Sequence, residues 1–118
     1  MPSRRSMATL RQDAVLSDRR LRGWYREFNR RWFEDGLPED VDVLYAPVEG
    51  CSGEMVPEDR DSFVIRINPR YQVCSGIARL TLLHEMVHVE LWPYIAHGPR
   101  FEARMQKLAA AGAMRGLW

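Results

Sequence analysis

At 118 residues the chain is long enough for one hydrophobic core and too short for two. Its 46% hydrophobic and 28% charged composition is that of an ordinary globular domain, which excludes a fibrous or wholly disordered chain, and no apolar run approaches the length of a membrane span. The formal net charge of +1 conceals a segregation: residues 1–31 hold nine arginines against three acids, whereas residues 32–61 hold ten acids against a single arginine.

In chain order, residues 1–16 are polar, arginine-bearing and weakly patterned, and are expected to form a flexible basic arm preceding one domain over 17–118. No apolar stretch follows those arginines, so no secretory signal is expected. Two cysteines, Cys51 and Cys74, form neither a Cys-x-x-Cys pair nor a disulfide framework, which fits a cytoplasmic protein. Ser17 or Asp18 is placed to cap a helix running to about residue 35, with Leu21, Trp24, Tyr25, Phe28 and Trp32 on one face and Gly36 and Pro38 closing it. On the opposite face Arg19, Arg22, Arg26 and Arg30 fall within about 80°, at 100° per residue. Such a stripe is either a solvated face or a weak, sequence-independent binder of DNA phosphates.

Three strands follow. Residues 41–45 alternate, with Val41, Val43 and Tyr45 on one side; residues 51–56 form a shorter strand, ended by an acidic turn over 57–61; residues 62–67 read as a strand stopped by Asn68 and Pro69. The small residues of Cys51-Ser52-Gly53-Glu54-Met55 leave room for a second backbone to approach.

The chemistry is concentrated in the next helix, expected from about residue 75 to residues 90–92, where Pro93 stops it. Leu80, Leu83, Val87 and Leu91 make an apolar stripe, flanked by His84-Glu85-Met86-Val87-His88. Histidines four apart stand one turn above each other on one helix face, so His84 and His88 can bind the same ion, and imidazole is a preferred ligand of Zn²⁺. Glu85 is placed to take a proton from a water that the metal acidifies to a pKa of about 7. Two residues can supply a third ligand. His97 lies just before Gly98 and Pro99, which start a closing helix containing Phe101, Met105 and Leu108; Glu102 lies in the first turn of that helix, where acids also serve the helix dipole. Three histidines plus water are an established catalytic zinc set, which favours His97. A donor to the transition-state oxyanion is also needed, and Tyr71 and Tyr94 are the candidates.

His84-Glu85-Met86-Val87-His88 followed by His97-Gly98-Pro99-Arg100-Phe101 resembles the SprT-like (Spartan-related) zinc metalloprotease domain, in which His-Glu-x-x-His is followed by a third ligand in His-Gly-x-x-Phe. The upstream run Phe28-Asn29-Arg30-Arg31-Trp32-Phe33-Glu34-Asp35-Gly36-Leu37-Pro38 is similar to that family's Phe-Asn…Phe…Leu-Pro signature. The resemblance covers about residues 21–110. It departs from the family pattern in a short link between His88 and His97 and in the lack of a cysteine-rich ribbon after the closing helix. It implies an α+β, zincin-like minimal metalloprotease domain: an amino-terminal helix, a small three-stranded sheet, the His-Glu-x-x-His helix and a closing helix. It further implies one Zn²⁺ held by His84, His88 and His97, Glu85 as general base, a protein or peptide substrate laid along the sheet edge, and action on DNA-associated proteins. The rival from another class is a nucleic-acid-binding module with structural zinc and no hydrolytic activity; a metal-dependent phosphodiesterase would call for more carboxylates near His84.

Overall fold

The computed structural model describes residues 18–59, 62–71, 75–94 and 96–115. Residues 1–16, Ser17 and Cys74 lie outside that description. The order of elements is α1 (Asp18–Trp32), β1 (Val41–Tyr45), β2 (Gly53–Asp59), β3 (Ser62–Ile67), a 3₁₀ turn (Pro69–Tyr71), α2 (Ser75–Leu91) and α3 (Pro99–Ala110). Among the described residues, three helices and a three-stranded sheet make a small α+β fold.

Helix α1 buries Leu21, Tyr25, Phe28 and Asn29, a 3–4 residue spacing that makes one continuous inward stripe. Trp24 and Trp32 pack against the edge of that core and stay half-buried. The carboxylate of Asp18 accepts the backbone N–H of Tyr45 at 2.8 Å, tying the start of the helix to the end of β1. The helix stops at Trp32, earlier than its sequence predicts. Glu34 and Asp35 take left-handed backbone (φ 54° and 57°), and the Asp35 N–H reaches back to the Asn29 carbonyl at 2.9 Å. Gly36 closes the turn by lacking a side chain rather than by a positive φ: a Cβ there would stand 2.9 Å from the Phe33 carbonyl oxygen.

The Phe28-Asn29…Leu37-Pro38 run has a physical role here. The Asn29 side chain donates to the Leu37 carbonyl (3.1 Å) and accepts the Leu37 N–H (3.0 Å), while the Tyr25 hydroxyl donates to the Pro38 carbonyl at 2.6 Å. Two buried side chains thus satisfy the backbone of an irregular loop and aim it into β1. Burial also raises the pKa of the Tyr25 phenol, so it remains a donor.

The strand order is β1-β3-β2, with β1 parallel and β2 antiparallel to β3. Central β3 buries Phe63, Val64, Ile65 and Ile67, a near-continuous apolar run suited to a strand covered on both faces. Strand β2 begins at Gly53 and runs through Pro57 to Asp59, so the predicted acidic turn is largely strand. Proline is tolerated because β2 is an edge strand, and the register shifts between Pro57 and Asp59. Asn68 then pins the loop before β2: its amide donates to the Val48 (2.8 Å) and Cys51 (3.2 Å) carbonyls, and its own N–H donates to Ser52 O at 2.8 Å.

Helix α2 packs on β2, β3, α1 and α3. Leu83 and Val87 of the predicted stripe are fully buried, but so are Leu82 and Met86. With neighbours on several sides, α2 is apolar around most of its circumference. Its end at Leu91 matches the expectation from Pro93; the last turn tightens to bonds from Trp92 to Val89 and from Tyr94 to Leu91. Gly98 is the extended N-cap of α3 and Pro99 its first residue. Gly112 (φ 94°) closes α3 with paired bonds from Gly112 to Ala109 and from Ala113 to Leu108, a Schellman motif that folds Met114 back toward the domain. No helix among the described residues is long and apolar enough to cross a membrane.

Replacing Asn29 by alanine leaves the buried N–H and C=O of Leu37 without partners. The expected cost is about 2–3 kcal/mol, read as a lower urea midpoint at unchanged slope, whereas Arg22→Ala on the exposed face should change stability by less than about 0.5 kcal/mol.

Candidate metal centre

Helix periodicity places His84 and His88 one turn apart on α2, and the Pro93 break followed by the Gly98-Pro99 start returns His97 to them from outside α3. The Nε2 atoms of His84 and His97 are 3.2 Å apart, those of His88 and His97 2.8 Å, and the candidate ligand nitrogens of all three lie within 4.8 Å of one another. Ligand nitrogens around a tetrahedral zinc with bonds of about 2.0–2.1 Å stand roughly 3.3 Å apart, so this donor set has the dimensions of a metal site. Burial, followed by the charges that His88 and His97 would carry, pushes the pKa of His84 down to about 4; burial and then His97 lower that of His88. Both rings are therefore held neutral, the form in which imidazole binds a metal.

Phe101 forms the floor of the cluster. It is 6% exposed, stacks on His88 (centroids 4.6 Å apart, 27° between planes), and meets His84 at 4.7 Å and His97 at 4.8 Å. In the sequence it reads as an apolar position of a closing helix and as the last residue of the His-Gly-x-x-Phe resemblance; the structure brings its ring against all three imidazoles. Arg104 fixes the same helix. Its guanidinium donates to both carboxylate oxygens of Glu90 on α2 (2.6 and 3.2 Å) and to the Trp32 carbonyl at the end of α1 (2.8 Å), lying over the Phe33 ring. Nothing local in the sequence marks Arg104, because its partners lie 14 and 72 residues away.

Glu85 is 5% exposed, and its Oε2 stands 4.0 Å from His84 Nε2. Burial first, and the Glu54 carboxylate second, push its pKa up to about 7. Strand β2 crosses α2 here at a distance only glycine permits. A Cβ on Gly53 would lie 2.8 Å from the Thr81 methyl, 3.2 Å from the Arg66 carbonyl oxygen and 3.3 Å from Glu85 Oε2. The neighbours that crowd Gly53 are thus side chains of α2 and the backbone of β3. Cys51, Ser52 and Gly53 then form one wall of an open cleft of about 770 Å³ that reaches His84, Glu85 and His97.

The other sequence candidates fall elsewhere. Glu102 is exposed and outside the histidine group. Tyr94 is 58% exposed, lies under the Arg100 guanidinium at 4.1 Å and does not line the cleft; the Tyr71 side chain is outside the described residues. Cys51 is an exposed free thiol. Arg19, Arg22, Arg26 and Arg30 are all exposed along α1, and among the described residues no ion pair joins them to an acid. Arg22, Arg26 and Arg30 instead line a separate cleft of about 700 Å³ that includes Asp35 and Glu39. Neither a scan against protein-family models nor a search of curated proteins finds a match to this chain.

His84→Ala, His88→Ala and His97→Ala should each abolish stoichiometric Zn²⁺ binding, while Glu102→Ala keeps it; metal analysis after dialysis reads the difference. Phe101→Ala should retain the ligands but weaken zinc affinity by about 10–100-fold in competition with a chromogenic chelator, as loss of a supporting neighbour does elsewhere.

Proposed function

We propose that this chain is a zinc-dependent peptidase of the SprT-like type with a minimal zincin-like fold. The observation that carries the reading is the juxtaposition of a nearly buried glutamate with three converged imidazoles at the floor of an open cleft walled by an edge strand. His84, His88 and His97 would hold one Zn²⁺, whose Lewis acidity polarises water toward hydroxide near neutral pH and polarises a substrate carbonyl.

The chain's own residues do the rest. Glu85 Oε2 takes a proton from the attacking water and returns it to the departing amine. One carboxylate serves both steps, accepting the proton from the water and releasing it to the amine. The side of β2 not paired with β3 offers main-chain donors and acceptors to an extended polypeptide, holding it beside Glu85.

The alternative, a nucleic-acid-binding module with structural zinc, draws on the four exposed arginines of α1. Structural zinc sites are closed by four protein ligands. Among the described residues no fourth histidine, cysteine or acid joins the three histidines, and Glu85 beside an open cleft has no part in a structural site. The stripe is better read as an accessory that brings a cytoplasmic peptidase to DNA-associated proteins.

The decisive assay incubates zinc-loaded protein with an unfolded protein substrate, with and without single-stranded DNA. Glu85→Gln should keep metal and fold yet lose about 10²–10⁴-fold in hydrolysis; a variant that cleaves like wild type removes the mechanism. Labelled single-stranded DNA should bind modestly and lose affinity steeply as salt rises, and changing Arg19, Arg22, Arg26 and Arg30 together to glutamine should eliminate that binding. Equal binding by the quadruple variant would make α1 an ordinary solvated face.

A further inference from the structure

The cleft has two chemically different ends. One carries His84, Glu85 and His97; the other has four apolar wall residues, Leu80, Met105, Ala109 and Met114, together with Gln106. We propose that this apolar end is a subsite for a leucine, methionine or phenylalanine side chain next to the scissile bond, and that the substrates are therefore non-native polypeptide segments. The proposal rests on the peptidase reading of the same cleft.

Distance along the chain supports it. Leu80 and His84 are four apart on α2, about 6 Å along the helix axis. An extended peptide advances about 3.3 Å per residue, so the apolar wall begins one to two residues from the carbonyl that faces Glu85. Met105 and Ala109 are also four apart and share one face of α3, while the Schellman turn after α3 adds Met114.

Charge supports it too. Among the described residues no arginine, lysine or aspartate lines the cleft, and the carboxylate that does, Glu85, belongs to the catalytic end. A charged side chain entering the far end would be desolvated with no counterion, whereas an apolar one would lose only its contact with water. Methionine at two of the four wall positions adapts to side chains of differing shape, and alanine at another leaves depth. A cleft of about 770 Å³ has room for such a side chain and the backbone that bears it. Large apolar side chains are mostly buried in folded proteins, and their backbones are already paired. A segment that offers both a free strand and a free apolar side chain is one that has lost, or not yet gained, its fold.

The test uses zinc-loaded Glu85→Gln protein, which should bind without cutting, and fluorescent peptides identical except for leucine, methionine, phenylalanine, serine, aspartate or lysine at one position. Anisotropy should show the first three binding about ten-fold or more tighter than the rest. Ala109→Phe, on an exposed position that tolerates change, should fill the subsite and bring all six to parity; Ala109→Asp should favour the lysine peptide instead. Circular dichroism and zinc content verify that both variants are folded. Equal binding of the six peptides, absence of binding, or a preference unchanged by Ala109→Phe overturns the subsite. Selective binding together with no hydrolysis by the Glu85-intact protein leaves the subsite standing and overturns the peptidase reading alone.

Discussion

Helix α2 buries Leu82, Leu83, Met86 and Val87 completely while carrying His84, Glu85 and His88 among them. A helix so nearly enclosed can hold polar side chains only where its neighbours leave a flank open or supply compensating contacts. Strand β2 leaves that flank by meeting α2 at a glycine, and α3 supplies the contacts by laying Phe101 under the imidazoles and bringing in His97. The sheet, the closing helix and the cleft follow from how this one helix is covered.

The coverings are held by side chains that satisfy someone else's backbone. Asn29 fixes the return from α1, Asn68 fixes the loop that delivers Cys51–Gly53 to the cleft, and Arg104 ties α3 to both α2 and the end of α1. Each pairs a donor or acceptor in irregular structure that would otherwise be left without a protein partner. Their effect reaches the three-histidine cluster through geometry. Arg104 sets the height of α3, hence the position of Phe101 and the entry of His97, while touching none of the three histidines.

Burial does chemical as well as structural work at Glu85. Removing the carboxylate from water opposes its ionisation and lifts its pKa toward neutrality, and the Glu54 carboxylate acts in the same direction. The same burial makes the ionised folded state harder to form. Leu80, Met105, Ala109 and Met114 line the same open cleft as His84, Glu85 and His97, so apolar side chains border these polar groups.

Local chemistry made several features legible before any fold was known. The 3.6-residue period located the helices; Pro93, Gly98 and Pro99 marked the break that frees His97; alternation located β1 and β3. The four-residue spacing alone put His84 and His88 on one face, because that relation is built into the helix itself. What depended on distant partners was not legible. Helix α1 stops early through a bond back to Asn29 and a left-handed pair, and β2 continues through Pro57 because the sheet happens to leave it at an edge. Arg104 looks like an ordinary helix position, the contacts of Phe101 with the imidazoles have no local signature, and His97, favoured over Glu102 by ligand type, is brought to His84 and His88 only by the packing of α3 on α2. A sequence encodes period, turn and ligand type residue by residue; which side chains converge is decided by packing between elements, where the interacting groups share no local signature.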